Sequence, residues 1–387
     1  MLFGLMLLLG AGVFLEGVSG PQAQRAWQCF LVNFVFWSGM AFGAVLFVAV
    51  LNMTNAHWGR PLKRLAESFG AFLPVSFLLF WVLFLGREEV FPWIRNPVEE
   101  KAWWLNAGFL FARNGVGLFL LVGASMLLVY QSVRADRDGF ASSPTQEGGQ
   151  LRRWRVQAAL SPAVGILYGL VMSLVAFDLI MSLDPHWYST LFGAYYFIGS
   201  FYAGLAGIIL LSILCRRAMG LERFIEPRHF HDLGKLLLAF CILTGDFFYA
   251  QFLVIWYGNL PEEAKYVILR VRGAPWEPLA WTVLVVCFAV PFVVLLSRKI
   301  KMKLGPMMAL SLVILGGMWL ERLLLVGPSL WRGETLPIGL PEVTITAGFF
   351  GLMGLCLLAF LRRVPPLPIS DPLFREALSG REGEGSP

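Results

Sequence analysis

Long apolar runs alternate with short polar segments along nearly the whole chain. Several runs exceed the roughly eighteen residues that a helix needs to cross a hydrocarbon core. Ten can be counted, near 2–17, 26–53, 68–86, 103–131, 154–182, 190–215, 232–256, 276–298, 304–323 and 341–361. The pattern predicts an all-α, polytopic membrane protein with about ten transmembrane helices. The first run lacks a basic flank and more spans follow it, so it reads as a membrane helix and not as a signal peptide. Its apolar stretch reaches only ~23 Å at the helical rise, which places it at an edge or thins the bilayer around it. Residues 362–387 are rich in Pro, Gly and charge and read as a tail, mostly loop or disordered.

Composition sharpens this picture. The chain of 387 residues is 57% hydrophobic and 14% charged, against about a quarter charged in soluble proteins. Trp and Tyr gather at the ends of the apolar runs, as in an interfacial belt. The basic pI does not signal nucleic acid, because the basic residues sit between spans. Lys and Arg favour the loops after even-numbered spans and the tail by about two to one. That bias puts both termini in the cytoplasm. "SLDPHWYST" then lies on the outer face and "RHFHDLGK" on the inner. No loop is long enough for a soluble domain, so redox centres or large recognition surfaces must come from partners. Five cysteines are scattered singly, and no iron–sulfur, zinc or c-haem motif is visible. The four histidines fall in loops or at span ends, where they cannot face each other across a b-type haem. No nucleotide-binding glycine loop, zinc-protease motif or serine-nucleophile elbow is present.

Charges within spans are costly, about 2.5–3.5 kcal/mol each near a helix centre on insertion scales. Asp178 lies one turn inside the outer end of the fifth span, in "FDLIMSLDPHWYSTLFGAYYF". It reads as a hydrated helix-end carboxylate or as a proton-exchanging group. Arg113, in the fourth span, reads as its ion-pair partner or as a cation that snorkels or caps a neighbouring helix. In the seventh span Asp232, Lys235, Ala239, Ile242, Asp246, Tyr249 and Leu253 follow at steps of three and four and share one face. Asp246 is placed near the midplane. Such a stripe suits an inner half-channel for protons; the plainer reading is a protonated Asp246 bonded to a neighbouring helix and an anchoring Asp232–Lys235 pair. His229 and His231 read as loop residues without a metal. Glu321 with Arg322 reads as an interfacial ion pair that ends the ninth span. Glu16 and His57 read as end-of-helix groups.

Four stretches in order, "SLDPHWYSTLFGAYYF", "HFHDLGKLLLAF", "QFLVIWYGNLPEE" and "PPLPISDPLFREAL", resemble the second quinone-binding-like integral subunit of bacterial alternative complex III. That type falls within the NrfD/polysulphide-reductase membrane-subunit superfamily. The resemblance covers most of the chain, from about Trp27 to Leu378. It implies two four-helix bundles plus two peripheral helices: 1–25 peripheral, 26–182 the first bundle, 183–323 the second, 324–361 the peripheral last helix and 362–387 a cytoplasmic tail. It implies a subunit of a quinol:cytochrome c (or terminal oxidase) oxidoreductase in the bacterial inner membrane, not catalytic alone. The subunit would support quinol oxidation and proton transfer or translocation. The implied partners are a sister quinol-binding subunit, an iron–sulfur subunit, c-type haem subunits, small membrane subunits and lipids. The resemblance implies no covalent cofactor, haem or iron–sulfur in this chain, and a possible quinone or menaquinone. The proton-transfer candidates are Asp178, Asp184, His186, Asp232, Lys235, Asp246 and Tyr249, with Arg113 as ion-pair partner. The family pattern after "LLLAF" has Trp-Ala-Tyr where this chain ends in Thr244, Gly245 and Asp246, so a family proton path need not map here unchanged. Two other classes compete: a secondary transporter with buried carboxylates, which broken midplane helices would mark, and a purely structural scaffold subunit.

Overall fold

The computed structural model describes residues 1–139 and 145–376. Ten helices are long and apolar enough to cross a membrane: α1 (Leu2–Ser19), α2 (Ala23–Met53), α3 (Arg60–Leu85), α4 (Ala107–Gly139), α5 (Leu151–Leu183), α6 (Phe192–Ala218), α7 (Pro227–Gly258), α8 (Glu277–Leu296), α9 (Leu304–Leu330) and α10 (Leu340–Leu361). No strand occurs among the described residues. The protein is an all-helical, multi-pass membrane protein.

Helix contacts run around two closed circuits, α2–α3–α4–α5 and α6–α7–α8–α9. The seam between them is α2 against α6, with α9 also touching α2. α2 is accordingly the most enclosed span, with 89% of its apolar window buried. The seam is tight because it is built on small residues. A Cβ on Gly204 would lie 2.6 Å from the backbone nitrogen of Ala44. α1 and α10 pair with each other on the rim of this assembly. A Cβ on Gly10 would stand 2.6 Å from the Cα of Gly348, so those backbones also meet without side chains between them.

Three features depart from the hydropathy pattern. α3 begins at Arg60, not near residue 68, and Arg60, Lys63, Arg64 and Glu67 are all buried in its first two turns. Arg113 is therefore not the only cation held within a span. α9 continues to Leu330, so Glu321 and Arg322 lie inside it and are buried. The tail also differs: residues 362–376 fold back onto the first circuit, while 377–387 lie outside the described residues. Asp371 is buried and accepts from Lys63 Nζ at 2.7 Å and from Arg60 Nη1 at 3.1 Å. The Ser370 N–H donates to Asp136 Oδ1 at 2.8 Å, and Arg64 bridges Glu67 and Asp136. Three cations and three carboxylates thus neutralise one another. Burial alone would push the Asp371 carboxyl up, but Lys63, Arg60 and the Leu373 N–H outweigh it and hold it below its ordinary value. Pro- and Gly-rich sequence was read as loose chain; this ionic demand and the burial of Leu367 and Phe374 order it instead.

Candidate functional site

Two polar centres occupy the end of the molecule that carries residues 184–191. The first is Asp178. A π-helical turn over Ala176–Ile180 interrupts α5 and presents this carboxylate to α4. Arg113 grips it in a two-pronged fork, Nε to Oδ2 and Nη2 to Oδ1, both 2.6 Å. Asn114 Nδ2 donates to Oδ2 at 2.5 Å and Trp104 Nε1 to Oδ1 at 3.1 Å. The guanidinium is stacked over Trp104 at 3.8 Å and Phe109 at 4.6 Å. Asp178 is fully buried, and its four donors leave a closed, charge-neutral unit. Moving a proton through it requires that the fork open. The geometry therefore makes Asp178 and Arg113 a clamp between α4 and α5.

The second centre is a half-open cavity of ≈ 140 Å³ lined by α6, α7, α8, α9 and the short helix Pro261–Val271. Its walls are almost wholly apolar and aromatic. The loop 184–191 roofs it. Trp187 turns inward and stacks on Tyr266, with ring centroids 3.6 Å apart and planes 4° from parallel. Arg270 lies against the other face of the pair, its guanidinium carbon 3.3 Å from the Tyr266 centroid. Arg270 is tied to the carbonyl of Leu325 and the hydroxyl of Ser329, both at 2.9 Å. Burial pulls its guanidinium below the ordinary value, and pushes the Tyr266 phenol up to about 12 against the pull of Arg270.

Glu321 supplies the cavity's acid. Arg322 Nη1 donates to its Oε1 at 3.2 Å and stands 2.9 Å from Oε2. The Tyr195 hydroxyl also acts on this carboxylate. Arg322 reaches past it to Ser200 Oγ at 3.3 Å and lies 4.3 Å over Tyr196. Four buried polar atoms of lining residues make no hydrogen bond among the described residues: Trp187 Nε1, Tyr266 Oη, Arg270 Nε and Glu321 Oε2, the last of which faces only the Arg322 guanidinium. Orphaned groups of this kind are uncommon and call for an explanation. An apolar chamber with convergent donors and an acid is the usual form of a small-molecule site.

The other candidates are distributed unevenly. Asp184 is half-buried in the same loop and acts electrostatically on Tyr266 and Arg270, without itself lining the cavity. His186 is exposed beside it. Asp232 and Lys235 pair with each other at 2.7 Å, partly in solvent. Asp246 and Tyr249 are placed differently. Both are exposed, as are Ile242 and Leu253, so the stripe points away from the helices of this chain. No described residue closes a half-channel over them. Gln251 is bonded to Ser189 of the loop 184–191 at 3.1 Å, and Asp246 is five residues further from that loop along α7, ~7.5 Å by helical rise. His229 and His231 lie in the first turns of α7, not in a loop, and His229 Nδ1 accepts from the Glu226 N–H. No group of three or more potential metal ligands converges among the described residues.

Ten apolar helices, four of which line a small aromatic chamber, define a multi-pass membrane protein. The chain belongs to the NrfD, polysulphide reductase, family, whose model matches residues 17–332. Members are membrane subunits of quinone-interacting redox complexes and partner iron–sulfur and other redox subunits. No curated protein matches the chain.

Proposed function

We propose that this chain is the cofactor-free integral subunit of a bacterial inner-membrane quinol:cytochrome c, or quinol:terminal oxidase, oxidoreductase of the alternative complex III type. Both termini face the cytoplasm, and the sister quinol-binding subunit, iron–sulfur and c-haem subunits supply the redox chemistry. In this reading the two helix circuits are the two four-helix bundles, and the cavity of the second is a quinone pocket.

The observation that carries the reading is that a half-open, aromatic chamber holds three donor atoms without a partner, together with a buried acid that has one unbonded oxygen. A cavity of about 150 Å³ is known to admit one benzene ring, and ≈ 140 Å³ is available here. Trp187, Tyr266 and Arg270 supply a flat wall and donors for ring oxygens. Oxidising a quinol to a quinone releases two electrons and two protons. The electrons go to the partners' redox centres. Glu321 and Asp184 are the groups placed to accept protons from ring hydroxyls, and His186 beside Asp184 is placed to pass them to the outer water.

Photolabelling of the purified complex with an azido-quinone tests this. The label is expected on peptides that carry Trp187 or Tyr266. Trp187→Ala should lower labelling at least tenfold, and Trp187→Phe should keep most of it. Equal labelling of this chain in the wild type and in Trp187→Ala would overturn the pocket.

A further inference from the structure

An ionisable residue within a membrane helix almost always faces a bundle interior, a water-filled cavity or a partner. Asp246 does none of these within its own chain. It is exposed, ~7.5 Å along α7 from the Gln251–Ser189 contact by helical rise. It makes no hydrogen bond or ion pair with any described residue. The acid at the inner end of the same face is different, since Asp232 already has Lys235. Only 17% of the apolar window of α7 is buried. The residues flanking Asp246 on its face, Ile242, Tyr249 and Leu253, are spaced as the anchors of one helix that packs against another.

We infer that this face of α7 is a docking surface for a transmembrane helix of a different subunit, one that presents a Lys or Arg side chain at the depth of Asp246. Charge decides the occupant. A carboxylate at this depth is satisfied by a cation or by strong donors. A second copy of the chain is disfavoured by symmetry, because a two-fold interface along this face sets Asp246 opposite its own copy at the same depth. Like charges there repel. Lipid tails offer no donor at all. Asp246 thus fixes the register of the incoming helix, as single buried polar residues do in helix pairs, while Ile242, Tyr249 and Leu253 supply contact area. This inference rests on the reading of the chain as one subunit of a complex. It does not depend on ring binding in the cavity, which photolabelling tests separately.

The test uses the intact complex in lipid nanodiscs, with single cysteines at Ile242, Tyr249 and, as a lipid-facing control on α5, Leu170, itself exposed. Photo-cross-linking through benzophenone-4-maleimide attached at Ile242→Cys and Tyr249→Cys should join this chain to one and the same membrane subunit. The linked peptide should hold a Lys or Arg within one helical turn, and Leu170→Cys should give no such product. Asp246→Leu should reduce that subunit in the purified complex at least tenfold. Asp246→Lys should do the same, and reversal of the partner's basic residue to Asp should restore it. If Asp246→Leu fails to accumulate, the cysteine variants, which keep Asp246, still decide the matter. Fluorophores at Ile242→Cys and Tyr249→Cys that are quenched by lipid-borne nitroxides as strongly as one at Leu170→Cys would overturn the inference. So would cross-links to a second copy of this chain, or to a helix without a basic residue near the link.

Discussion

Replacing Arg113 by Met removes the cation but keeps most of the side chain's length. Asp178 would then retain only Asn114 and Trp104 as donors. Its full burial admits no water to replace the lost fork. Breaking a buried pair by removing one partner costs about 3–5 kcal/mol, because the other charge is stranded. That corresponds to roughly two to three and a half decades in the folding equilibrium. The stacking of the guanidinium on Trp104 is lost as well, worth about 0.5–2 kcal/mol. Removing both charges is a different matter, since apolar replacements of a buried pair are often neutral or stabilising. The double variant Arg113→Met/Asp178→Leu should therefore recover most of the stability lost in Arg113→Met alone. The assay is a double-mutant cycle read by thermal unfolding and by the yield of monodisperse protein in detergent. Strong, favourable coupling is expected. A single variant as stable as wild type, or a double variant worse than either single one, would refute the clamp.

Gly204→Leu should break the α2–α6 seam, because its Cβ meets the backbone of Ala44 and Gly43, and backbone cannot swing aside. Gly123→Leu, where a Cβ meets nothing within 4 Å, should be tolerated; equal membrane yields for the two would refute the close approach. Asp371→Asn should free the tail, seen as faster hydrogen exchange over residues 364–376. The depressed carboxyl value gives the pH dependence its sign. The contribution is present above the ordinary value of 3.8 and is lost as pH falls through the lower folded value. Wild-type tail exchange should thus be flat from neutral pH down to about pH 5, after correction for intrinsic rates. A tail that opens in step with histidine titration would contradict this.

The ten spans were legible because length and apolarity suffice to identify a crossing. The Arg113–Asp178 pairing was legible from depth alone, since both sit in the same half of antiparallel neighbours. The start of α3 was not. "RPLKRLAES" is so polar that hydropathy stops short of it, and its counter-ions come from α4 and from the tail, up to 311 residues away. Glu321 was misread for a related reason: an acid near the end of an apolar run resembles an interfacial group until the helix is seen to continue past it. Trp187, Tyr266 and Arg270 gave no signal, because a Trp in a loop and an Arg in a short amphipathic helix are ordinary at a membrane surface. The stripe on α7 shows what periodicity supplies. It groups Asp246, Tyr249 and Ile242 on one face and does not say which way that face looks.

The pairing of α1 with α10 has a consequence for biogenesis. α1 leaves the ribosome before the other nine spans, yet the helix that sheathes it is made after all of them, and the window of α1 is only 6% buried. During most of translation α1 must drift in the bilayer on a short tether, held by lipid alone apart from its lesser contact with α2. Closure of the Gly10–Gly348 contact then becomes a late event, after both circuits exist. A chain halted before Leu340 would leave α1 free to wander, open to capture by quality-control proteases that patrol the membrane for unaccompanied helices.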